Sequence, residues 1–199
     1  MTEITREEVV RRRNRLFERF GEVPVETRRK RPERETFDAW REASLAGYVG
    51  SAYALVRRSP ERLPPLTESA GVDGPERERV LLLLGRGRTR WGVPGGGQEA
   101  DERYTETVHR EVREETGVDA EPTGLAWLRH EISTHEGSDD RLHVLRAFFH
   151  AAYTGGSIDT QPGEANGAAW FAEPPVADRL LPETERLLDG WNGKTSATD

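Results

Sequence analysis

The chain has 199 residues, enough to bury the core of one domain with or without an extension. Hydrophobic residues make up 34% and charged residues 33%, a polar but foldable mixture, while a net charge of −7 excludes nucleic-acid binding through bulk electrostatics. The absence of cysteine excludes disulfides, a thiolate nucleophile and cysteine zinc sites.

Taken in chain order, Thr5-x-x-Glu8 resembles a capping box, and Val9, Val10, Leu16, Phe17 and Phe20 form a helical apolar stripe that Gly21 and Pro24 stop. Residues 27–35 are a dense charge run and read as an exposed connection, with docking of an anionic ligand or another subunit as the alternative. A short helix is expected over 36–43. Residues 48–57 and 80–85 then read as strands, separated by a Pro-rich charged excursion at 59–78. Residues 91–97 form a short strand running into a glycine loop, followed by a helix from about 101 to 116 that Gly117 ends. Strands are expected at 124–132, 143–153 and 167–171, with Gly155-Gly156 as a turn, a last helix at 182–188 and a frayed tail from 190.

Strands on both sides of a central helix predict an α+β fold, an α/β/α sandwich around a mixed sheet. The expected organisation is a helical extension over 1–45, a catalytic-type domain over 46–190 and a tail over 191–199. The longest strong apolar run, 80–84, is far short of the roughly eighteen residues a membrane span needs. The charged first fifteen residues do not read as a secretory signal, so a soluble cytoplasmic protein is expected. Residues 1–45 carry 12 Arg and Lys against 10 Asp and Glu, the rest 17 against 26, so the acidity belongs to the remainder of the chain.

The chemistry is concentrated in residues 95–118. At about 100° per residue, Glu111, Glu114 and Glu115 share one side of the helix, roughly 65° from the apolar stripe of Tyr104, Val108 and Val112. Three acids so placed repel one another at the margin of a buried face, and hard oxygen ligands of this kind suit Mg²⁺ or Mn²⁺. The alternative is an ordinary acidic helix in water. Arg110 stands one turn before Glu114, where it can fix the carboxylate's orientation. Gly95, Gly96 and Gly97 let the main chain approach a ligand closely, or simply turn.

Gly96, five residues, Glu102, seven residues, then Arg110-Glu111-Val112-Arg113-Glu114-Glu115-Thr116-Gly117-Val118 meets every specified position of the Nudix box. The sequence therefore resembles the Nudix hydrolases over 23 residues, with Trp91-Gly-Val-Pro before the box and Trp170-Phe171 near the end agreeing with that framework. The resemblance implies metal-dependent hydrolysis of a phosphoanhydride bond in a nucleoside diphosphate derivative, ADP-ribose, a nucleoside triphosphate or similar. It implies Glu111, Glu114 and Glu115 as metal ligands with the Gly95 carbonyl, and Gly96, Glu99 and Glu102 as supporting or substrate-loop residues. The general base in such proteins often lies outside the box, and Glu131, Glu136, Asp139, Asp140 and Glu164 are the candidates, Glu164 foremost for its turn before the last strand. The partner expected is a small nucleotide, with neither membrane nor bulk nucleic acid, and with homodimerisation left open. A Nudix-fold module that binds a nucleotide without cleaving it is the rival reading. A prenyl diphosphate isomerase of the same fold would be expected to use a cysteine. Trp91, Trp127, Trp170 and Phe171 are candidates for stacking on a base or for the core, and the scattered histidines for structural roles.

Overall fold

The structure is a computed structural model that describes residues 2–60, 77–99, 101–160, 165–189 and 191. The excursion expected between the first two strands and nearly all of the expected tail lie outside the described residues, as does Glu164.

The elements in order are β1 (Thr2–Ile4), α1 (Arg6–Phe20), β2 (Val25–Lys30), α2 (Arg34–Leu45), β3 (Gly50–Arg58), β4 (Arg79–Gly85), β5 (Gly95–Gly97), α3 (Tyr104–Thr116), β6 (Val118–Thr134), β7 (Asp140–Gly156), β8 (Ala165–Phe171) and α4 (Pro182–Leu188). Hydrogen bonding strings the strands in the order β2-β6-β7-β3-β4-β8, with β1 on β7 and β5 on β3. β1–β7 and β2–β6 are parallel, whereas β3–β4, β3–β5 and β4–β8 are antiparallel. The sheet is mixed and flanked in sequence by helices, the α+β class that the pattern predicts. The described residues fall into two compact units, with β3, α3, β6 and β7 running through both.

The first unit holds residues 1–53, 95–108 and 124–149. Two expectations fail here. Thr5 does not cap α1. It stands in the left-handed region (φ 64°), and its hydroxyl donates to the carbonyls of Ile4 and His143, because β1 pairs on β7 and pulls it there. Glu8 binds Arg12 and Arg11 instead. The charge run is not a connection either: its first half is β2, which pairs with β6. Val25, Thr27 and the alternating charges make a polar edge strand, and its ion partners, Arg129 for Glu26 (3.2 Å) and Glu131 for Lys30 (2.7 Å), lie about a hundred residues away. The segment 1–45 thus supplies two strands as well as two helices.

Ile4, Phe37 and Leu142 cluster in the core of this unit, and Phe20 meets Phe149 edge-on at 5.6 Å. Trp127 lies flat on Phe148, centroids 3.8 Å apart, and Phe148 stacks on Tyr53. Trp127 is therefore a core residue, buried at 2% exposure.

The second unit holds the described residues of 54–94, 109–123 and 150–191. β4 is the uninterrupted apolar run the sequence announces, with Val80, Leu81 and Leu82 fully buried and β8 paired along its length. Trp91 packs on Phe171 and Trp170 on Tyr153, with the buried Arg58 guanidinium 4.4 Å from the Tyr153 ring centre. α4 spans the expected residues, with Pro182 in its first turn and Leu187 and Leu188 buried. Trp191 is held beyond it by bonds from its main-chain N–H to the Leu188 carbonyl and from Nε1 to Glu78. β6 and β7, 17 residues each, outrun their expected spans, and Gly155-Gly156 ends β7 within the strand rather than forming a separate turn.

Candidate active site

Within the first unit, β5 is Gly95–Gly97 itself, laid antiparallel on Ser51, Ala52 and Tyr53. Gly95 has φ +144°, and a Cβ there would collide with the Ala52 carbonyl oxygen and lie 2.6 Å from Tyr53 Cα. Only glycine fits the pairing. Gly96 faces Ala52 in the register.

α3 begins at Tyr104, so Glu102 precedes it, and a helical phase does not decide where its carboxylate points. Glu102 Oε2 accepts the Glu99 N–H (3.1 Å) and the Thr107 hydroxyl (3.0 Å), while its own N–H donates to the Glu99 carbonyl. The Glu102 carbonyl takes bonds from Gln98 Nε2 and Arg12. Glu99 and Glu102 thus close the turn that feeds the helix. The buried Thr107 is a partner that sequence reasoning missed, although hydroxyls in a first helical turn are a recognisable signal for such bonds. Glu106 was missed too: its carboxylate accepts the Arg103 N–H at 2.7 Å, the returning half of a capping box.

The stripe of α3 is buried as expected, Tyr104 at 4%, Val108 at 0% and Val112 at 1% exposure. The Tyr104 hydroxyl donates to the Leu145 carbonyl, and burial drives its pKa up.

Within the second unit stands the acidic half of the box. Glu111 and Glu115 are part-buried and Glu114 is exposed. Arg110 donates through one nitrogen to both Glu111 (2.9 Å) and Glu114 (3.0 Å). Arg113 turns away and binds Asp119 at 2.6 Å, and His109 meets Glu121 at 3.2 Å. Gly117, φ +74°, ends the helix. A Cβ on it would stand 2.6 Å from the Ser157 carbonyl oxygen, and the Asp159 N–H donates to the Thr116 carbonyl. Glycine here lets the chain leave the helix against the 157–159 segment.

Among the described residues no group of three or more Asp, Glu or His side chains is gathered closely enough to hold a metal ion. Arg110 instead neutralises two of the three acids. The donor chemistry nevertheless fits a hard divalent cation: three carboxylates of one helix, within a turn and a half of each other, on side chains with three rotatable bonds each.

The other described candidate bases fall in the first unit. Glu131 is buried in the first unit, where it bridges Lys30 and Arg146, and Asp140 binds Arg41 at 2.5 Å. Glu136 and Asp139 follow β6, in the segment before β7. Three of the scattered histidines have protein partners: His130 meets His143 at 2.8 Å, His143 meets Glu3, and His135 meets the Pro32 carbonyl.

The sequence model of the NUDIX domain matches residues 69–189. The chain belongs to the Nudix family. A MutT-like protein of Streptomyces ambofaciens is 30% identical over 133 residues, 65% of this chain and 80% of that protein. A protein named MutT4 of Mycobacterium tuberculosis is 31% identical over 122 residues, 59% of this chain and 48% of that protein, so the match spans about half the relative's length. The NAD-capped RNA hydrolase NudC of Stutzerimonas stutzeri is 40% identical over 76 residues, 38% of this chain and 25% of its own. A solved MutT NUDIX hydrolase of Burkholderia pseudomallei is 21% identical, with a TM-score of 0.45 over 71% of this chain and 95% of its own. No helix among the described residues is long and apolar enough to cross a membrane.

Proposed function

We propose that the protein hydrolyses a phosphoanhydride bond in a nucleoside diphosphate derivative, giving a nucleoside monophosphate and a phosphorylated fragment. The observation that carries this reading is the acidic edge of α3, where Glu111, Glu114 and Glu115 flank a buried stripe in a chain of the Nudix family. In this reading the three carboxylates hold a divalent cation, Mg²⁺ or Mn²⁺. A cation bound there would supply charge to neutralise diphosphate oxygens and would lower the pKa of water. Arg110 links Glu111 and Glu114 through one nitrogen and would help orient these carboxylates. Positioning and charge stabilisation supply most of the catalysis in such a displacement.

The test is release of nucleoside monophosphate from a panel of nucleoside triphosphates, ADP-ribose and dinucleotides, with Mg²⁺ or Mn²⁺ and with chelator. Glu114→Gln and Glu115→Gln should each lower turnover by orders of magnitude with the fold intact; near-wild-type rates in both would refute the assignment. The pairing of Arg110 with two of the acids favours one second reading, a module that binds a nucleotide without cleaving it. Binding without turnover across the whole panel would establish that reading.

A further inference from the structure

The first unit contains a cavity of about 300 Å³ that the hydrolytic chemistry does not use. That volume is at the lower end of the roughly 300–1,000 Å³ typical of ligand pockets. α2 and the stretch beyond it line the cavity with Trp40, Ser44 and Tyr48. β6 and β7 add Glu131, Leu142 and Arg146 to the lining. Trp40 and Tyr48 precede the segment that the family model matches, so this part of the lining belongs to the chain's own first 48 residues.

The polar groups of the cavity are of a kind rarely left buried without a purpose. Glu131 is 5% exposed. Burial favours its neutral acid, but the Lys30 ammonium and the Arg146 guanidinium outweigh that and hold its pKa below the usual carboxylate range. Both of those cations meet the same oxygen, Oε2, at 2.7 and 3.1 Å. A carboxylate has lone pairs for about four bonds, so acceptor capacity remains. Arg146 spends one nitrogen on the Tyr53 hydroxyl (2.9 Å) and keeps further N–H groups. Ser44, 4% exposed, has a buried hydroxyl with no hydrogen-bond partner. Tyr48 also packs on the glycine strand of the Nudix box: a Cβ on Gly97 would stand 3.1 Å from its ring.

An acceptor carboxylate beside a donor guanidinium, between aromatic and aliphatic walls, describes one class of planar ligand. Guanine presents two adjacent N–H donors, N1 and N2, to a carboxylate, and offers O6 and N7 to an arginine. Adenine and cytosine would set a ring-nitrogen acceptor against the carboxylate, and uracil offers only one N–H between two carbonyls. We propose that this cavity is a base-recognition site selective for guanine, with Glu131 and Arg146 reading the base edge and Trp40 and Tyr48 lining its faces.

The site goes beyond the hydrolytic reading, because it binds a base whether or not anything is cleaved. The test is titration calorimetry with GMP, IMP, AMP, CMP and UMP in the presence of chelator. GMP should bind best, IMP weaker because it lacks the N2 donors, and the others weaker by about ten- to hundredfold. Glu131→Gln should abolish the preference for GMP over IMP. Trp40→Ala, at a residue 39% exposed, and Ser44→Leu, which fills the space without touching the ion pairs, should each weaken GMP by about tenfold or more while thermal unfolding shows a folded chain. Absence of GMP binding, indifference to the base, or unchanged binding in folded Trp40→Ala and Ser44→Leu would each overturn the proposal. Selective GMP binding with no nucleotide hydrolysed under any metal condition would overturn the hydrolytic reading alone.

Discussion

At the scale of single residues, Gly95 is set by what surrounds it. Its φ of +144° lies where side chains rarely go, and the Ala52 carbonyl fills the place of a Cβ. Gly95→Ala is expected to lower stability by about 1–3 kcal/mol, seen as a lower denaturant midpoint. Gly124→Ala, with nothing within 4 Å of its Cβ position, should stay within about 0.5 kcal/mol. Equal effects at both positions would show that backbone strain is not the cause. The box was legible at this scale because its chemistry is local: Arg110 reaches Glu111 and Glu114 across one turn or less. The partners of Glu102 were not legible, since its carboxylate folds back on the turn rather than projecting from the helix.

Among the elements, α3 shows how a helix start is secured by side chains on opposite sides of its first turn. Glu106 takes the Arg103 N–H, and Glu102 takes the Thr107 hydroxyl and the Glu99 N–H. Glu106→Ala should cost about 1 kcal/mol in unfolding free energy, as lost caps do, with nucleotide turnover unchanged because this exposed carboxylate lies apart from Glu111, Glu114 and Glu115 in helical phase. A loss of turnover without a loss of stability would contradict this division of labour. The extents of α1 and α4 were readable from apolar period, Gly21 and Pro182. β2 was not. A strand of sequence VETRRK exists because Arg129 and Glu131 of β6 meet its charges, and no local pattern encodes that meeting.

For the whole molecule, acid and metal are the informative variables. Burial and the nearby His143 push His130 down to about 4 from an ordinary 6.5. The folded chain therefore refuses a proton that the unfolded chain accepts. Stability is full above pH 6.5, falls as the pH drops toward about 4, and levels off below. The slope from this group is at most about 1.4 kcal/mol per pH unit, and less because the imidazole is only half-buried. Denaturant midpoints between pH 7 and 4 should fall less steeply in His130→Gln, and identical slopes would exclude His130 as the source. If the acids of α3 bind a divalent ion, saturating Mg²⁺ or Mn²⁺ should raise the melting temperature. An ion at a hundred times its Kd adds about 2.7 kcal/mol, and the gain should vanish in Glu114→Gln combined with Glu115→Gln.

The amino-acid sequence alone determined the α+β class, most of the helices and strands, and the family, because apolar period, glycine stops and the spacing of the box are properties of neighbouring residues. Tertiary structure alone decided that residues 1–45 contribute two strands, that Trp127 belongs to the core, and that Glu131 is buried between Lys30 and Arg146 beside Trp40. Each of these depends on groups 15 to 138 positions apart. Charge pairing and burial across such separations arise only when the sheet brings the strands together.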